Sequence, residues 1–239
     1  MRGVILAGGT GSRLFPLTKV TNKHLLPIGK KPMIYYPIER LIEIGVTEIL
    51  IVTGVDHMGD VVNLLGSGKD FGCKFTYKVQ DSALGIAHAL LLAETFAANE
   101  RIIVILGDNI FGVGLSEYSK KFKKQKKGAR VLLKEVGDPE RFGVVGFTDE
   151  RITSIEEKPR KPKSNYAITG IYMYDEQVFD IIRDLKPSKR GEYEISDVNA
   201  AYLKKGELDY DILSGWWTDA GTFETLERAS LLVEGKIKI

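Results

Sequence analysis

Cysteine is nearly absent from the sequence, since Cys73 is the only one among 239 residues. No internal disulfide can form, and a reducing cytoplasm is therefore the expected compartment. Long apolar runs are missing as well. The run at residues 4–7 is broken by Gly8-Gly9, and it is too short to predict a signal peptide or a membrane-spanning helix.

Neither sign of charge is in clear excess. The chain has 34 Lys and Arg residues against 32 Asp and Glu residues, for a formal net charge of +2. This balance gives no support to a nucleic-acid or membrane partner, and none is expected. The lysine-rich run at residues 120–127 is interpreted as the solvated face of a helix whose Leu115 and Tyr118 pack inward, in preference to a nucleic-acid patch.

Several nucleotide-site motifs are missing. No Gly-Lys-Ser/Thr closes the first glycine loop, which excludes a Walker loop. A dinucleotide fingerprint fails because Leu14 stands at the third glycine position and Lys31 stands near the expected acid. This failure disfavours a dehydrogenase. The sequence Asp108-Asn109-Ile110 also lacks the Asp-x-Asp metal motif of nucleotide-sugar-dependent glycosyltransferases.

Histidine-based chemistry finds no support either. His24, His57 and His88 show no metal-ligand spacing, and no Ser/His/Asp set is evident. Each histidine is therefore interpreted as structural or superficial.

The first half of the chain alternates between short apolar runs and helical patterns. Strands are predicted at residues 4–7, 49–52, 75–79 and 102–106. Helices are predicted at residues 38–44, 61–65 and 85–96. Strands that are apolar on both faces and alternate with helices indicate an α/β fold whose sheet is covered on both sides.

The second half has more strands for each helix. Strands predicted at residues 131–133, 144–147, 152–155 and 168–173 indicate an added mixed or antiparallel region. Helices are predicted at residues 178–185, 196–204 and 222–233, and a last strand at residues 210–213. Because no linker or repeat is evident, we expect one domain over residues 1–239, with lobes mainly at residues 1–130 and 131–220.

The loop after the first strand is the strongest candidate for a binding site. Its sequence is Gly8-Gly9-Thr10-Gly11-Ser12-Arg13. Three glycines let the backbone turn sharply, and successive free N–H groups in such a turn form an anion-binding concavity. Arg13 and, ten residues later, Lys23 add cations suited to phosphate oxygens. A polyphosphate site is predicted here, with an ordinary strand-to-helix turn as the alternative.

Two acids are candidate metal ligands. Asp108 follows the most apolar strand, and ligands of open α/β sheets lie outside the carboxyl ends of the strands. Asp219 precedes the last predicted helix. Mg²⁺ prefers one or two carboxylates together with phosphate oxygens and water, so these two acids would suit it. The alternatives are a simple turn at Asp108 and a helix cap at Asp219.

Glu157 and Lys158 form a third candidate pair, at the tip of a predicted strand that Pro159 ends. The carboxylate can accept hydrogen bonds from sugar hydroxyls, and the adjacent lysine can hold a phosphate. The alternative is a surface strand end with a weak ion pair.

Longer motifs around these residues occur in a fixed order along nearly the whole chain. They include Gly8-Gly9-Thr10-Gly11-Ser12-Arg13-Leu14-Phe15-Pro16, Asn22-Lys23-His24-Leu25-Leu26-Pro27, Gly107-Asp108-Asn109, Asp138-Pro139-Glu140-Arg141-Phe142-Gly143, Glu156-Glu157-Lys158-Pro159, Arg190-Gly191-Glu192-Tyr193 and Trp217-Thr218-Asp219-Ala220-Gly221. In these motifs the sequence resembles the sugar-1-phosphate nucleotidyltransferases, and within them the thymidylyltransferases that act on glucose 1-phosphate.

The resemblance implies a Rossmann-like, mixed but mostly parallel sheet flanked by helices, with an inserted smaller sugar-binding β region. It implies a nucleotide-binding first lobe, a sugar-binding second lobe, and transfer of a nucleotidyl group from dTTP to glucose 1-phosphate. Mg²⁺ would be the cofactor, held by Asp108 and Asp219.

The resemblance also assigns roles to single residues. Arg13, Lys23, Asp108 and Lys158 would be catalytic. The nucleotide would be bound by Leu6, Gly8, Gly9, Gly11, Ser12, Arg13, Gln80, Gly85 and Asp108. The sugar phosphate would be bound by Lys23, Gly143, Glu157, Lys158 and Ile168. A homo-oligomer is implied too.

Three alternatives stay open at the level of sequence. The same chemistry could use UTP or another sugar 1-phosphate, and a non-catalytic sensor could bind the same ligands. Regulation by an end product, known in longer members of the family, is not predicted for a chain of 239 residues.

Overall fold

The computed structural model describes residues 1–238, in which thirteen strands and eight α-helices form. The strands are β1 (Arg2–Ala7), β2 (Pro27–Ile28), β3 (Lys31–Pro32), β4 (Glu48–Gly54), β5 (Lys74–Gln80), β6 (Ile102–Leu106), β7 (Asn109–Phe111), β8 (Ala129–Glu135), β9 (Gly143–Thr148), β10 (Arg151–Glu157), β11 (Tyr166–Tyr174), β12 (Leu208–Ile212) and β13 (Trp217–Asp219). The helices are α1 (Tyr35–Glu43), α2 (Met58–Leu65), α3 (Ile86–Leu91), α4 (Glu94–Ala97), α5 (Ser116–Lys124), α6 (Val178–Asp184), α7 (Ile195–Lys204) and α8 (Phe223–Val233).

Nine of these strands form one mixed sheet. Its main path runs β10-β9-β11-β6-β1-β4-β5, and β8 joins at β11 and carries β12 on its other side. The strands β6, β1, β4 and β5 are mutually parallel, whereas β11 is antiparallel to β6, β8 and β9. The predicted fold class is therefore confirmed: a mostly parallel first half continues into an antiparallel addition.

The register of the parallel strands brings their carboxyl ends to one edge. Leu6 of β1 lies opposite Leu106 of β6, and Gly54 of β4 lies opposite Gln80 of β5. The residues that follow these strands therefore emerge side by side, at the edge where open α/β sheets bind ligands.

The alternation of side chains along β1 explains why the sheet is covered on both faces. Val4 packs into one hydrophobic core and Ile5 into another, and both side chains are fully buried. Since successive strand residues point to opposite faces, an uninterrupted apolar run requires helices on both sides. The first core includes residues of α3, α6 and α7, and the second includes residues of α1, α2 and α5.

The long strand β11 joins the two halves of the sheet. Its last residues pair with β6 and β8, and its first residues pair with β8 and β9. The register with β8 shifts between Ile168 and Tyr172. At this irregularity the Gly170 backbone N–H donates a hydrogen bond to Asn109 Oδ1 at 3.0 Å, so a residue next to Asp108 is tied to the antiparallel region.

Each predicted element is present, with its ends shifted by up to three residues and with one helix divided. The sequence patterns do not predict the short strands β2, β3, β7 and β13. The helix predicted at residues 85–96 is divided into α3 and α4, because the Ala93 N–H bonds to the Leu90 carbonyl three residues back and tightens the turn. The lysine-rich run lies largely on α5, where Tyr118 and Phe122 are buried. The division into a nucleotide lobe and a sugar lobe stays a prediction.

Gly85 precedes α3 with φ +102°, a backbone conformation that glycine adopts readily. A Cβ here would lie 2.6 Å from the Tyr193 carbonyl oxygen and 2.8 Å from its nitrogen. We expect Gly85→Ala to lower the free energy of unfolding by about 2–3 kcal/mol, because backbone strain and overpacking add.

Urea denaturation would measure this loss. Gly59→Ala in α2 is the matched control, since nothing lies within 4 Å of a Cβ there, and it should be neutral or slightly stabilising. Equal stability of the two variants would contradict the steric argument.

Candidate active site

A cavity of about 400 Å³ opens at the carboxyl edge of the sheet. It contains nearly all of the residues singled out from the sequence. Those lining it are Leu6, Gly8, Gly9, Arg13, Lys23, Gln80, Gly85, Asp108, Gly143, Glu157, Lys158, Ile168 and Asp219. The structure therefore brings together residues that lie far apart in the chain, from Leu6 to Asp219.

Gly11 and Ser12 are not among the residues that line this cavity. Gly11 has φ +62°, and its carbonyl accepts a hydrogen bond from Thr18 Oγ1 at 2.7 Å. Ser12 is exposed and begins a 3₁₀ turn, Ser12–Leu14. Both residues shape the loop, and their contact with a nucleotide stays a prediction.

Arg13 extends from this loop towards Asp219. A Cβ on Gly221 would lie 2.9 Å from Arg13 Nη2 and 3.1 Å from Asp219 Oδ2. The missing side chain of Gly221 thus leaves room for the guanidinium beside the acid. Within residues 1–238 the Arg13 guanidinium forms no ion pair at 4.0 Å or less, so its donors are available to an anion in the cavity.

Lys23 and Asp108 form an ion pair at the centre of the edge. Lys23 Nζ lies 2.6 Å from Asp108 Oδ2, and each side chain is only 14% exposed. Burial alone would raise the pKa of Asp108, but the Lys23 ammonium, His24 and the Asn109 amide together hold that pKa well below its usual value. Asp108 is therefore ionised throughout the physiological range.

Asn109 fixes the other oxygen of this carboxylate. Its Nδ2 donates to Asp108 Oδ1 at 3.0 Å, while its Oδ1 accepts from Trp217 Nε1 at 2.7 Å and from the Gly170 N–H at 3.0 Å. Two donors on Oδ1 leave the amide nitrogen facing Asp108. The orientation of Asp108 is thus coupled to β13 and β11.

Asp219 lies at the end of β13 and is held by Arg141. Arg141 Nη2 lies 3.2 Å and 3.1 Å from its two carboxylate oxygens, and Arg141 Nη1 donates to Asp138 at 2.6 Å. The helix cap considered for Asp219 is supplied by Thr222, whose side chain accepts from the Thr225 N–H in a capping box. Asp219 is therefore left for the cavity.

The two acids repel each other. Burial, and next the charge of Asp108, raise the pKa of Asp219 above its ordinary value, and Arg141, Arg13 and Lys23 oppose this only in part. A cation between the carboxylates would relieve the repulsion. No group of three or more His, Cys, Asp or Glu side chains suited to a metal occurs in residues 1–238, so a metal here would need ligands beyond this chain's acids. Mg²⁺ fits that requirement, because it takes phosphate oxygens and water readily.

Glu157 ends β10 and Lys158 follows it, and both residues line the cavity. Ser196 Oγ donates a hydrogen bond to Glu157, and Lys158 Nζ lies 3.7 Å from Glu157 Oε1. Lys158 has φ +44°, an uncommon conformation for a residue with a side chain. Its N–H bonds to the Phe142 carbonyl at 2.9 Å, which helps to hold this strained backbone beside the cavity.

Several residues in or next to the cavity have no role predicted from the sequence. Arg141 lines the cavity and holds Asp219, and Tyr172 lines it as well. Arg190 is not a lining residue, but its Nη1 lies 3.7 Å from Oε1 of Glu157, which does line the cavity. Arg141 and Arg190 stood within recognised motifs, but only the tertiary contacts show which acids they pair with. Tyr172 gave no signal beyond its place in an apolar strand.

His24 lies beneath the turn that carries Asp108. A Cβ on Gly107 would lie 2.7 Å from His24 Cδ2, so the ring packs directly against this backbone. Burial and the Lys23 ammonium lower the pKa of His24 to about 3. The ring is neutral at physiological pH and acts as a packing element of the site, in keeping with the structural interpretation.

A family model described as nucleotidyl transferase matches residues 2–236. The chain belongs to this family. The match covers all of the residues that line the cavity, so the site of this nucleotidyl transferase lies wholly within the matched region.

Named relatives of this nucleotidyl transferase include the glucose-1-phosphate thymidylyltransferase of Neisseria meningitidis serogroup A, which is 46% identical over 98% of this chain and 83% of the relative. A solved structure of a proposed glucose-1-phosphate thymidylyltransferase from Bacillus anthracis, in complex with sucrose, is 58% identical with a TM-score of 0.95 and covers 100% of this chain and 97% of that one. A UDP-glucose pyrophosphorylase complexed with UDP-glucose is 29% identical with a TM-score of 0.87, covering 99% of both chains.

The helices of this nucleotidyl transferase are short. The longest, α8, has 11 residues, and none in residues 1–238 combines the length and the apolar character needed to cross a bilayer.

The opposite pKa shifts of the two acids predict opposite effects on stability. Ionised Asp108 stabilises the fold, because its pKa is lower in the folded protein than in the unfolded chain. This stabilisation is complete above the pKa of an unfolded aspartate, about 3.9, and is lost as the pH falls below that value. Ionised Asp219 opposes folding, since its pKa is raised; this penalty grows as the pH rises from about 3.9 through the folded pKa.

In metal-free protein at pH 7, Asp108→Asn should lower the free energy of unfolding by about 3 kcal/mol, because it leaves Lys23 buried without a counter-charge. Asp219→Asn should raise that free energy. Urea denaturation with a chelator present measures both. Equal destabilisation by the two substitutions would contradict the opposed shifts.

Proposed function

We propose that this nucleotidyl transferase transfers the nucleotidyl group of dTTP to glucose 1-phosphate, giving dTDP-glucose and pyrophosphate, with Mg²⁺ as cofactor. The observation that carries the proposal is one cavity lined by Gly8, Gly9 and Arg13 of the glycine loop, by Asp108 and Asp219, and by the Glu157-Lys158 pair. Two substrates and the groups needed to join them would thus share one space.

The order of the strands supports this division of the cavity. Asp108 follows β6, which has β1, β4 and β5 on one side and β11, β9 and β10 on the other. The nucleotide groups Gly8 and Gln80 follow or end strands on the first side, whereas Glu157 ends β10 on the second. The acid that would hold the metal therefore emerges between the two binding regions.

The choice of substrates draws on the similar proteins. The Neisseria relative is named for glucose 1-phosphate and a thymidylyl group. The more distant pyrophosphorylase structure contains UDP-glucose, a nucleotide joined to the same sugar. The first is the more similar in sequence, which favours dTTP over UTP for this chain.

The reaction would proceed by in-line attack of a glucose 1-phosphate oxygen on the α-phosphorus of dTTP. This nucleophile is already an anion, so no general base is needed. The main obstacle is the repulsion between two polyanions, and positioning with charge neutralisation would supply most of the catalysis. Arg13 and Lys23 would neutralise the triphosphate, and Lys158 would hold the phosphate of the sugar.

Asp108 and Asp219 would hold the Mg²⁺. When bound, the metal would neutralise phosphate charge and polarise phosphate oxygens. Asn109 and Arg141 would keep the two carboxylates in place, through the contacts to Asp108 Oδ1 and to both oxygens of Asp219.

Two further features of the proposal concern the setting of the enzyme. We propose that it works in a reducing cytoplasm, which suits a chain whose single cysteine is buried, and as a homo-oligomer. Light scattering on the purified protein would test the second point.

Pyrophosphate release with each nucleoside triphosphate against several sugar 1-phosphates tests the proposed reaction. Fastest release is expected with dTTP and glucose 1-phosphate. Fastest release with UTP, or with another sugar 1-phosphate, would support that alternative instead. Binding of both ligands without any release would indicate a sensor.

Loss of either acid should nearly abolish turnover. We expect Asp108→Asn and Asp219→Asn each to lower kcat by about 10²- to 10³-fold, because each removes a preorganised charge from the reacting phosphates. Both proteins should stay folded, as circular dichroism would show. Full Mg²⁺-dependent activity in either variant would remove that acid from the proposed metal site.

Lys158→Ala should weaken binding of the sugar phosphate more than binding of the nucleotide. The KM for glucose 1-phosphate is expected to rise about 10- to 100-fold, the usual range for a lost charge-assisted hydrogen bond. The control is Lys163→Ala, which removes a lysine that pairs with Glu156 and does not line the cavity. An unchanged KM for glucose 1-phosphate in Lys158→Ala would exclude this role.

A further inference from the structure

Gln80 ends β5 and lines the cavity next to the glycine loop, residues 8–13. A Cβ on Gly8 would lie 3.2 Å from Gln80 Oε1, so the amide oxygen faces the loop. Gln80 is only 6% exposed. Its amide is therefore a buried polar group whose orientation decides whether the cavity presents an acceptor or a donor here.

Two contacts determine that orientation. Gln80 Nε2 lies 3.2 Å from the Gly85 carbonyl oxygen and 3.0 Å from His88 Nδ1. A carbonyl oxygen accepts only, so the amide group facing it must be the NH₂. The second N–H then donates to His88 Nδ1, which requires the neutral tautomer with its proton on Nε2.

Both amide protons of Gln80 are thus taken by acceptors of the protein, and only the amide oxygen remains for a ligand. None of residues 1–238 donates a hydrogen bond to Gln80 Oε1. The group presented to a nucleobase is consequently an acceptor. Thymine and uracil carry an N–H at ring position 3, whereas cytosine has a lone pair there, so an acceptor favours the first two.

His88 itself does not line the cavity. It lies on α3 and is half-buried, with its ring stacked against Tyr193 at a centroid distance of 6.1 Å. The Tyr193 carbonyl accepts from the Ala87 N–H at 3.1 Å, which ties the two segments together. The side-chain contact that links His88 to the cavity is therefore the one with Gln80.

We propose that His88 is a positioning residue that sets the nucleobase preference of this enzyme, by holding the Gln80 amide with its oxygen towards the base. The selected ligands are nucleoside triphosphates whose pyrimidine has an N3–H. The inference rests on the proposed function, since it concerns the nucleotide half of that reaction.

Removal of the His88 Nδ1 acceptor should change the nucleobase preference as well as the affinity for nucleotides. Without His88 Nδ1 one N–H of Gln80 loses its partner, and only the Gly85 carbonyl opposes a flip of the amide. His88→Phe keeps an aromatic ring against Tyr193 and removes the acceptor. We expect it to weaken dTTP and UTP binding about threefold to tenfold, to weaken CTP binding less, and to leave the dTTP-to-UTP ratio unchanged.

Equilibrium binding of dTTP, UTP and CTP to the full chain, by calorimetry without sugar phosphate, measures these ratios. His88→Asn places an amide oxygen close to the position of Nδ1 and should restore the wild-type preference. The KM for glucose 1-phosphate should not change in either variant. His88→Ala supplies the same loss of acceptor should the phenylalanine variant fail to fold.

Equal weakening of all three nucleotides, or no change in the dTTP-to-CTP ratio, would overturn the role of His88. Failure of the proposed function looks different: the wild-type protein would then release no pyrophosphate from dTTP and glucose 1-phosphate, or would show no preference for dTTP or UTP over CTP. A wild-type preference that His88→Phe does not alter therefore rejects only the inference about His88.

Discussion

The ion pair between Lys23 and Asp108 is the contact on which the rest of the site depends. Asp108 is buried at the end of β6, and its carboxylate keeps its charge there mainly because the Lys23 ammonium lies 2.6 Å away. A buried charge without a partner would be strongly destabilising. The pair exists because β1 and β6 run parallel in register, so that the segment after β1 can reach the turn after β6. The carboxyl edge of the parallel strands thus determines both the path of the chain here and the charge of Asp108.

Much of this arrangement could be predicted from the sequence because it follows from local patterns. The apolar runs of β1, β4 and β6 are uninterrupted, and parallel strands end at one edge, so Asp108 was expected beside the glycine loop. The orientation of Asp108 was not predictable. It depends on Asn109, whose partners Gly170 and Trp217 lie 61 and 108 positions away. Contacts at such separation leave no periodic trace in one sequence, and the same holds for Arg141 and Asp219.

The antiparallel strands β9, β10 and β11 determine where Glu157 and Lys158 lie. Glu157 and Lys158 reach the cavity because β9 turns the chain back into β10, and β9 in turn pairs with the start of β11. The positive φ of Lys158 is stored strain, held in place by the hydrogen bond to Phe142. A strained backbone at the cavity wall is typical of a surface selected for binding rather than for stability, and regular strand geometry ends at this point.

Asp108 and Asp219 also differ in how they affect the stability of the ligand-free protein. Asp108 is stabilised by its surroundings, whereas Asp219 carries a charge that burial and Asp108 disfavour and that Arg141 only partly compensates. The protein thus retains an unfavourable charge at the cavity wall. A cation or a cationic group placed between the acids would remove that penalty, so part of the binding free energy of such a ligand comes from relief of the repulsion. By linkage, a ligand of this kind must stabilise the folded chain.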